Sequence, residues 1–204
     1  MTQQVILIGG TGGVGKTTLA RALSRRLDIP WISCDDLVQA AKAVTTPASH
    51  PDLHVMTTGD HVGYYTNTPS EQLIADAKRQ HQATWPIVER VVRKYAKNDE
   101  SIILEGWAIQ PERAVALASE FPFLHSYWLH IEPQVLEARE RNNPWTKPSP
   151  DPARMLDNFL GRSLWYNEWI RTETIRLDLP LIHQDGHTVT NELCEMLLAS
   201  LPRG

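Results

Sequence analysis

The sequence predicts an α/β fold in which a five-stranded parallel sheet carries helices on both faces. Two observations support this prediction. Five short apolar segments alternate with helical segments along the chain, and this alternation is typical of a parallel sheet. The first apolar segment also runs into a glycine-rich loop that opens a helix, which is the arrangement found where a protein binds the phosphates of a nucleotide.

Each predicted strand is a short apolar run bounded by residues that favour turns. The first, Val5 to Ile8, is rich in β-branched residues and ends at glycine, and the third ends at Glu105 with Gly106 behind it. The helical segments that connect the strands predict parallel pairing, because a parallel strand needs a long crossover. The five candidate strands are residues 5–8, 31–33, 101–105, 125–131 and 180–182.

Helical periodicity and helix-start signals predict the connecting helices. In the third helix, Thr68 and Glu71 fit a capping box, and Pro86 is expected to kink the helix or split it in two. Residues 45–68 form the least regular stretch, and four prolines mark a restricted loop just before residue 153. The predicted helices are residues 16–27, 37–44, 68–95, 112–119, 133–142, 153–177 and 190–201.

Length and composition predict one domain over residues 1–204. A chain of 204 residues buries enough surface to fold without disulfides, and its net charge of −4, with no long Lys/Arg block, argues against a nucleic-acid partner. The longest early apolar run is too short for a signal peptide or a membrane span. Cys34 and Cys194 have no metal or redox spacing, so we expect free thiols and a cytoplasmic location. The oligomeric state has no signature in the sequence.

Residues 10–17, Gly-Thr-Gly-Gly-Val-Gly-Lys-Thr, match the pattern G-x-x-x-x-G-K-[ST] in full, and we call this segment the phosphate loop. Glycines let successive backbone N–H groups turn inwards around an anion, and the helix dipole also favours negative charge. Lys16 is expected to reach the β- and γ-phosphates of ATP, and the Thr17 hydroxyl to bind Mg²⁺. The expected nucleotide-binding residues are Gly10, Thr11, Gly12, Gly13, Val14, Gly15, Lys16, Thr17 and Thr18.

The same glycines allow two other interpretations. A dinucleotide fingerprint would use Gly10, Gly12 and Gly15, with Asp35 about 20 residues further on as the ribose ligand. That fingerprint has no need of the lysine and hydroxyl that follow Gly15. The second alternative is a glycine turn that only packs a helix on a strand.

Three segments together resemble the P-loop small-molecule kinases. They are residues 9–18, residues 32–36 (Ile-Ser-Cys-Asp-Asp) and residues 102–106 (Ile-Ile-Leu-Glu-Gly). This group includes shikimate and gluconate kinases, chloramphenicol phosphotransferase, zeta-toxin-type kinases and 2-phosphoglycerate kinase. The resemblance implies a P-loop fold of the nucleoside or shikimate kinase type with a mobile lid. It also implies ATP-dependent transfer of the γ-phosphoryl group to a hydroxyl of a small molecule. The expected acceptor is a molecule similar to 2-phosphoglycerate.

Asp35 and Asp36 follow the second strand, and the carboxyl ends of parallel strands line the ligand crevice. Asp35 is the candidate that orients the acceptor hydroxyl and accepts its proton, and Asp36 is a candidate substrate contact. In the resembling kinases an Asp-x-Asp stands here, and Ser33 takes the place of its first aspartate. This departure puts a direct metal ligand at Ser33 in doubt. The structural alternative is that Asp35 caps the helix that follows.

Glu105 ends the third strand and is followed by Gly106. Its carboxylate is a candidate for holding Mg²⁺ together with Thr17, or for contacting the substrate. Trp107 is a candidate wall of the substrate pocket. The alternatives are an ordinary polar strand end and a core aromatic residue.

Arg139 and Arg141 lie just before the proline-rich loop. In the resembling kinases a mobile lid at this point, here about residues 139–153, supplies arginines to ATP. A guanidinium there matches the charge spread over a transferring phosphoryl group, or stacks on adenine. The alternative is a solvated charged helix face. Arg162 and Lys147 are secondary candidates.

The acceptor is expected to bind within about residues 36–85. His50, His54 and His61 cluster there with Asp52 and Asp60, but their spacing fits no known closed metal site, so substrate contact is the favoured interpretation. Tyr64, Tyr65 and Asn67 belong to the same expectation.

Three alternative functions stay open on the sequence. One is a kinase of nucleosides or sugar nucleotides, the second a regulatory P-loop ATPase without a small acceptor, and the third a nucleotide-binding module without catalysis. The chain has no Asn-Lys-x-Asp guanine-binding motif, and its third strand ends in Leu-Glu-Gly where a regulatory NTPase has an aspartate. Both observations argue against the regulatory NTPase and favour the kinase with a small-molecule acceptor. The negative net charge and the short apolar runs predict no nucleic-acid or membrane partner.

Overall fold

The computed structural model describes residues 3–55 and 60–201 and contains a parallel sheet of five strands. The sheet order is β2-β3-β1-β4-β5, so the first strand lies at the centre. Each strand corresponds to one predicted from the sequence, and the predicted parallel α/β architecture is confirmed. The strands are β1 (Val5–Gly10), β2 (Trp31–Ser33), β3 (Ile102–Glu105), β4 (Leu124–Ile131) and β5 (Leu181–Gln184).

Helices cover both faces of this sheet, and a 3-10 turn (Pro144–Thr146) precedes the seventh helix. The helices are α1 (Lys16–Leu27), α2 (Cys34–Ala43), α3 (His61–Asn67), α4 (Ser70–Lys97), α5 (Pro111–Glu120), α6 (Pro133–Arg141), α7 (Pro152–Arg176) and α8 (Thr190–Ser200). None of the helices in the described ranges is both long and apolar enough to cross a lipid bilayer.

The alternation of side chains along β1 explains why two apolar cores form. Ile6 and Ile8 point to one face, where they pack with α1 and α8, and Val5 and Leu7 point to the other, where they pack with α4 and α5. All four side chains are completely buried. The central strand is therefore fixed from both sides, and its end carries the phosphate loop.

Two predictions near the acceptor region are wrong. Residues 61–67, expected to be irregular, form α3, because Asp60 caps it by accepting a hydrogen bond from the Gly63 N–H at 2.8 Å. The helix after β2 begins at Cys34 and not at Leu37, and its cap is Ser33, whose hydroxyl accepts from the Asp35 N–H at 3.3 Å. Asp35 is therefore not a capping residue.

The start of α4 also differs from the prediction. Thr68 does not cap it, because Thr68 already ends α3 by donating its N–H to the Tyr64 carbonyl at 3.0 Å, and Pro69 becomes the last non-helical residue. Pro86 does not split the helix. The buried neighbours Trp85 and Val88 pack in the core on either side of the exposed proline, and α4 continues through it.

Candidate active site

The phosphate loop joins β1 to α1 and is a ring of available hydrogen-bond donors. Gly13 and Gly15 have φ values of 76° and 103°, in the left-handed region that only glycine adopts freely. A Cβ at Gly13 would also lie 2.8 Å from Leu136 Cδ1. Within the described part of the chain, the backbone N–H groups of residues 12–18 donate no hydrogen bond. These donors lie at the N-terminus of α1, so the loop is suited to bind an anion.

Lys16 spans the loop with its buried side chain. Its Nζ donates a hydrogen bond to the Thr11 carbonyl at 2.7 Å and forms no ion pair with any described carboxylate. Burial lowers the pKa of Lys16 from its ordinary value of 10.5, and the nearby carboxylates of Glu105 and Asp35 oppose that shift. The ammonium is thus held beside the loop without a fixed carboxylate partner, which leaves it available to a phosphate.

Thr11 ties the loop to the rest of the fold. Its buried hydroxyl donates to the Ser163 carbonyl on α7 at 2.9 Å. The Thr11 side chain therefore serves the structure of the loop, and only its backbone is left to contact a nucleotide.

Side-chain oxygens that could bind a cation lie close together near the ends of β1, β2 and β3. The Thr17 hydroxyl donates to Glu105 Oε1 at 3.0 Å, and Ser33 places a second hydroxyl opposite Glu105 in the β2–β3 register. Ser33 and Ile8 are both register partners of Glu105, so the strand ends bring these groups together. Burial raises the pKa of Glu105 above its ordinary value of 4.5, and Lys16 and the two hydroxyls oppose the shift.

This donor set suits Mg²⁺, a hard cation that proteins usually hold through one or two carboxylates together with substrate phosphates. Thr17 and Glu105, the two predicted metal ligands, are in direct contact. The histidines of the acceptor region do not form a common site. His54 hydrogen-bonds to the Thr45 hydroxyl, and His50 hydrogen-bonds to the Ser49 hydroxyl. No group of three or more His, Cys, Asp or Glu side chains in residues 3–55 and 60–201 is arranged to hold a metal ion.

A cleft of about 360 Å³ opens in front of the phosphate loop, and we call it the acceptor cleft. Predicted site residues that line it are Gly12, Lys16, Asp35 and Trp107, the secondary candidate Arg162, and the expected substrate contacts His61, Tyr64 and Tyr65. Asp36, the next residue on α2, is exposed and is not among the lining residues. Lys42 on α2 and Gln80 on α4 also line the cleft.

Arg162 is the most unusual charge in the acceptor cleft. It is only 5% exposed, and none of the described carboxylates forms an ion pair with it. Its guanidinium lies 4.8 Å from the Trp107 ring centroid and 5.0 Å from that of Phe159, and it donates to the Tyr65 hydroxyl at 2.5 Å. A buried cation without a counterion is costly unless a ligand supplies the negative charge.

The sequence ranked Arg162 only as a secondary candidate, yet a signal was present. It lies three residues after Phe159 and four before Tyr166, on a helix face whose aromatic side chains pack against the core. Gln80 and Gln184 were missed entirely, because each is an ordinary polar residue within a helix or strand.

The loop between α6 and α7 packs against α3 at the side of the cleft. The Thr66 and Ser149 hydroxyls are 2.7 Å apart, and the Trp145 ring lies edge-on to Tyr65 at 5.6 Å and to Phe159 at 4.9 Å. This loop belongs to the predicted lid, whose mobility stays a prediction. Tyr64, expected as a substrate contact, donates its hydroxyl to Asp76 Oδ2 at 2.8 Å.

The two predicted lid arginines lie away from the acceptor cleft. Arg139 donates to the Gly13 carbonyl at 3.3 Å and to Gln184 Oε1 at 3.3 Å, and it lines a separate groove of about 310 Å³. We call this the base groove; it also contains Gly15 and Thr18. Arg141 forms an exposed ion pair with Glu137 one turn earlier on α6. Their catalytic roles stay predictions.

A parallel sheet whose central strand ends in this phosphate loop, with a cleft on one side and a groove on the other, defines a P-loop nucleotide-binding protein. Comparison with known families agrees. The AAA domain family matches residues 6–154, and the chain belongs to that family.

Similar proteins confirm the resemblance to P-loop small-molecule kinases. The chain is 25% identical over 182 residues to 2-phosphoglycerate kinase of Pyrococcus horikoshii, covering 87% of this chain and 58% of that protein. It is 25% identical over 153 residues to mevalonate-3-phosphate 5-kinase of Thermoplasma acidophilum, covering 74% of each. A gluconokinase structure from Sinorhizobium meliloti 1021 matches with a TM-score of 0.56 at 17% identity, covering 98% of this chain and 92% of that one, which shows a shared fold. The chain spans only 15% to 58% of the length of three of the curated relatives it matches.

Proposed function

We propose that the protein is an ATP-dependent kinase that transfers the γ-phosphoryl group to a hydroxyl of a small anionic molecule related to 2-phosphoglycerate. One observation carries the proposal: the acceptor cleft joins Lys16 of the phosphate loop, the Asp35 carboxylate and the buried Arg162 cation in one space. The names of two relatives add support, because both describe kinases whose acceptors already carry a phosphate group.

The nucleotide would bind across the phosphate loop. The free N–H groups of residues 12–18 and the Lys16 ammonium would hold the β- and γ-phosphates. Thr17 and Glu105 would hold Mg²⁺, which when bound neutralises charge on the phosphates. The adenine would enter the base groove, where Arg139 offers a planar cation for stacking and Gln184 an amide for hydrogen bonding.

In the transfer step the acceptor oxygen forms a bond to the γ-phosphorus. The bond from that phosphorus to the oxygen bridging the β- and γ-phosphates breaks, and ADP leaves. Asp35 orients the acceptor hydroxyl and takes its proton, which then passes to solvent. Lys16 stabilises the charge on the transferring group, and Arg141 joins it if closure of the lid, about residues 139–153, releases it from Glu137.

The acceptor would occupy the remainder of the cleft. Arg162 lacks a carboxylate partner among the described residues and would bind an anionic group, while Trp107 forms the wall beneath its guanidinium. Lys42 adds a second positive charge to the lining. A volume of about 360 Å³ suits a small molecule. We place the enzyme in the cytoplasm, where the buried free thiols Cys34 and Cys194 stay reduced.

The test is a measurement of ADP release, first with ATP and Mg²⁺ alone and then with phosphorylated hydroxy acids, sugars, nucleosides and sugar nucleotides. Release that depends on a phosphorylated hydroxy acid supports the proposal. Preference for a nucleoside or a sugar nucleotide would identify the alternative kinase, and equal release without acceptor would identify a regulatory ATPase. ATP binding without turnover would leave a nucleotide-binding module.

A further inference from the structure

Gln80 is a nearly buried residue whose side chain lines the acceptor cleft. The residue is 6% exposed, yet its side chain forms no hydrogen bond with any residue in the described ranges. Two other glutamines of α4 behave differently: Gln72 donates to Asp76 at 2.7 Å, and Gln82 is exposed. An amide that bonds to no described residue takes its hydrogen bonds from water or from a bound molecule, so the Gln80 amide is available to a ligand.

The Gln80 amide is accessible from the acceptor cleft. Gln80 lies three residues after Ala77 and four before Thr84, both completely or almost completely buried, so it is on the inner face of α4. It lines the acceptor cleft together with Arg162. Since no residue in the described ranges bonds to this amide, it takes its hydrogen bonds from water or from a molecule bound in the cleft.

The wall beside Gln80 is closely packed. The neighbouring His81 is 1% exposed, and its ring packs edge-on against Trp107 at 4.3 Å and against Tyr166 at 4.9 Å. A polar group held on a packed helix face discriminates between ligands better than one on a mobile loop, because little freedom is lost on binding.

We propose that Gln80 determines acceptor specificity by hydrogen bonding to a polar group of the acceptor other than the reacting hydroxyl and the anion bound by Arg162. The inference rests on the proposed kinase function. It defines the acceptor class as small phosphorylated molecules with a carboxylate or a hydroxyl on a further carbon. An amide both donates and accepts, so it accommodates either group without adding charge. An acceptor lacking that group leaves the amide unpaired and is rejected.

Three probe acceptors isolate this contact. 2-Phosphoglycerate, glycerol 2-phosphate and 1-hydroxypropan-2-yl phosphate share a phosphate on the middle carbon and a primary hydroxyl that can react. They differ only at the third carbon, which is a carboxylate, a hydroxymethyl group or a methyl group. The measurement is kcat/KM for each acceptor with the unmodified protein and with Gln80→Leu, Gln80→Glu and Gln82→Leu.

The unmodified protein should use the methyl compound about 100-fold less efficiently than 2-phosphoglycerate. Gln80→Leu should remove that discrimination: kcat/KM falls about 100-fold for 2-phosphoglycerate and stays the same for the methyl compound. In Gln80→Glu, kcat/KM should fall more for 2-phosphoglycerate than for glycerol 2-phosphate, because the new carboxylate repels the carboxylate of 2-phosphoglycerate. Gln82→Leu, on the exposed face of the same helix, should match the unmodified protein.

A purely structural role for Gln80 predicts a different pattern. Gln80→Leu would then change kcat/KM for all three acceptors by the same factor. This result would overturn the inference while leaving the kinase proposal intact. Equal KM for ATP and equal melting temperatures in the variants show that the fold is preserved. If the unmodified protein releases ADP at one rate with and without every acceptor, the proposed function itself fails, and the inference fails with it.

Discussion

Acidification should destabilise the protein through His81, and the variant His81→Phe should remove that part of the loss. The imidazole is buried between Trp107 and Tyr166, and its Nε2 has no hydrogen-bond partner in residues 3–55 and 60–201. Burial lowers the pKa of His81 to about 3 from its ordinary value of 6.5, and the positive charges of Arg162 and Arg113 add to the shift. The folded protein therefore keeps this ring neutral.

The size of the effect follows from the two pKa values. Between about pH 3 and pH 6.5 the unfolded chain binds a proton at His81 that the folded chain does not, so stability increases with pH in this window. The contribution is fully present above the unfolded pKa and is lost as the pH falls below it. Going from about pH 7 to about pH 5 should cost about 2 kcal/mol of unfolding free energy through this residue.

The assay is urea unfolding at both pH values for the unmodified protein, for His81→Phe and for His50→Gln. His125 and His130 also have lowered pKa values, but both remain in every variant, so the comparison isolates His81. Phe preserves the ring packing, and the exposed His50 serves as the control. If His81→Phe loses as much stability on acidification as the unmodified protein does, the reasoning is refuted.

Three substitutions test the roles assigned to the nucleotide and transfer residues. Lys16→Ala should lower turnover at least about 100-fold at an unchanged melting temperature, because the γ-phosphate loses its ammonium partner; residual turnover near the normal rate would reject that role. Asp35→Asn should lower kcat about 100-fold or more with little change in ATP affinity, since the amide cannot accept the proton, and an unchanged kcat would reject the assignment. Arg139→Ala should raise the KM for ATP about 10-fold and leave kcat similar, whereas Arg25→Ala, exposed at the end of α1, should change neither. If Arg139→Ala lowers kcat and leaves the KM for ATP unchanged, Arg139 acts in phosphoryl transfer and not in adenine binding.

The strands and most helices were predictable because their signals are local. A buried strand such as Val5 to Ile8 is a contiguous apolar run, and a long helix such as α7 repeats its apolar stripe over several turns. The seven-residue α3 was missed because two turns are too short to establish a period, and its capping residue Asp60 stands among other polar residues. The order of the strands in the sheet depends on packing between distant segments, and it was not predicted.

The candidate site divides in the same way. The phosphate loop is continuous in sequence, so its residues were identified together, and Glu105 followed from its position at a strand end. Arg162 and Gln80 were not identified as a pair, because α4 and α7 meet only after folding. The position of Arg162 between aromatic residues indicates burial, but the absence of a partner becomes visible only in the folded structure. The position of Arg139 in the base groove likewise depends on its contact with Gln184, on a strand 45 residues further along the chain.

The most direct test of the central claim is phosphorus NMR of the purified protein with ATP, Mg²⁺ and 2-phosphoglycerate. We expect a new phosphate-ester resonance to grow in step with ADP, and neither to form with Lys16→Ala. ADP accompanied only by inorganic phosphate, or a new ester formed equally by Lys16→Ala, would contradict the claim that the loop and cleft transfer a phosphoryl group to a bound alcohol.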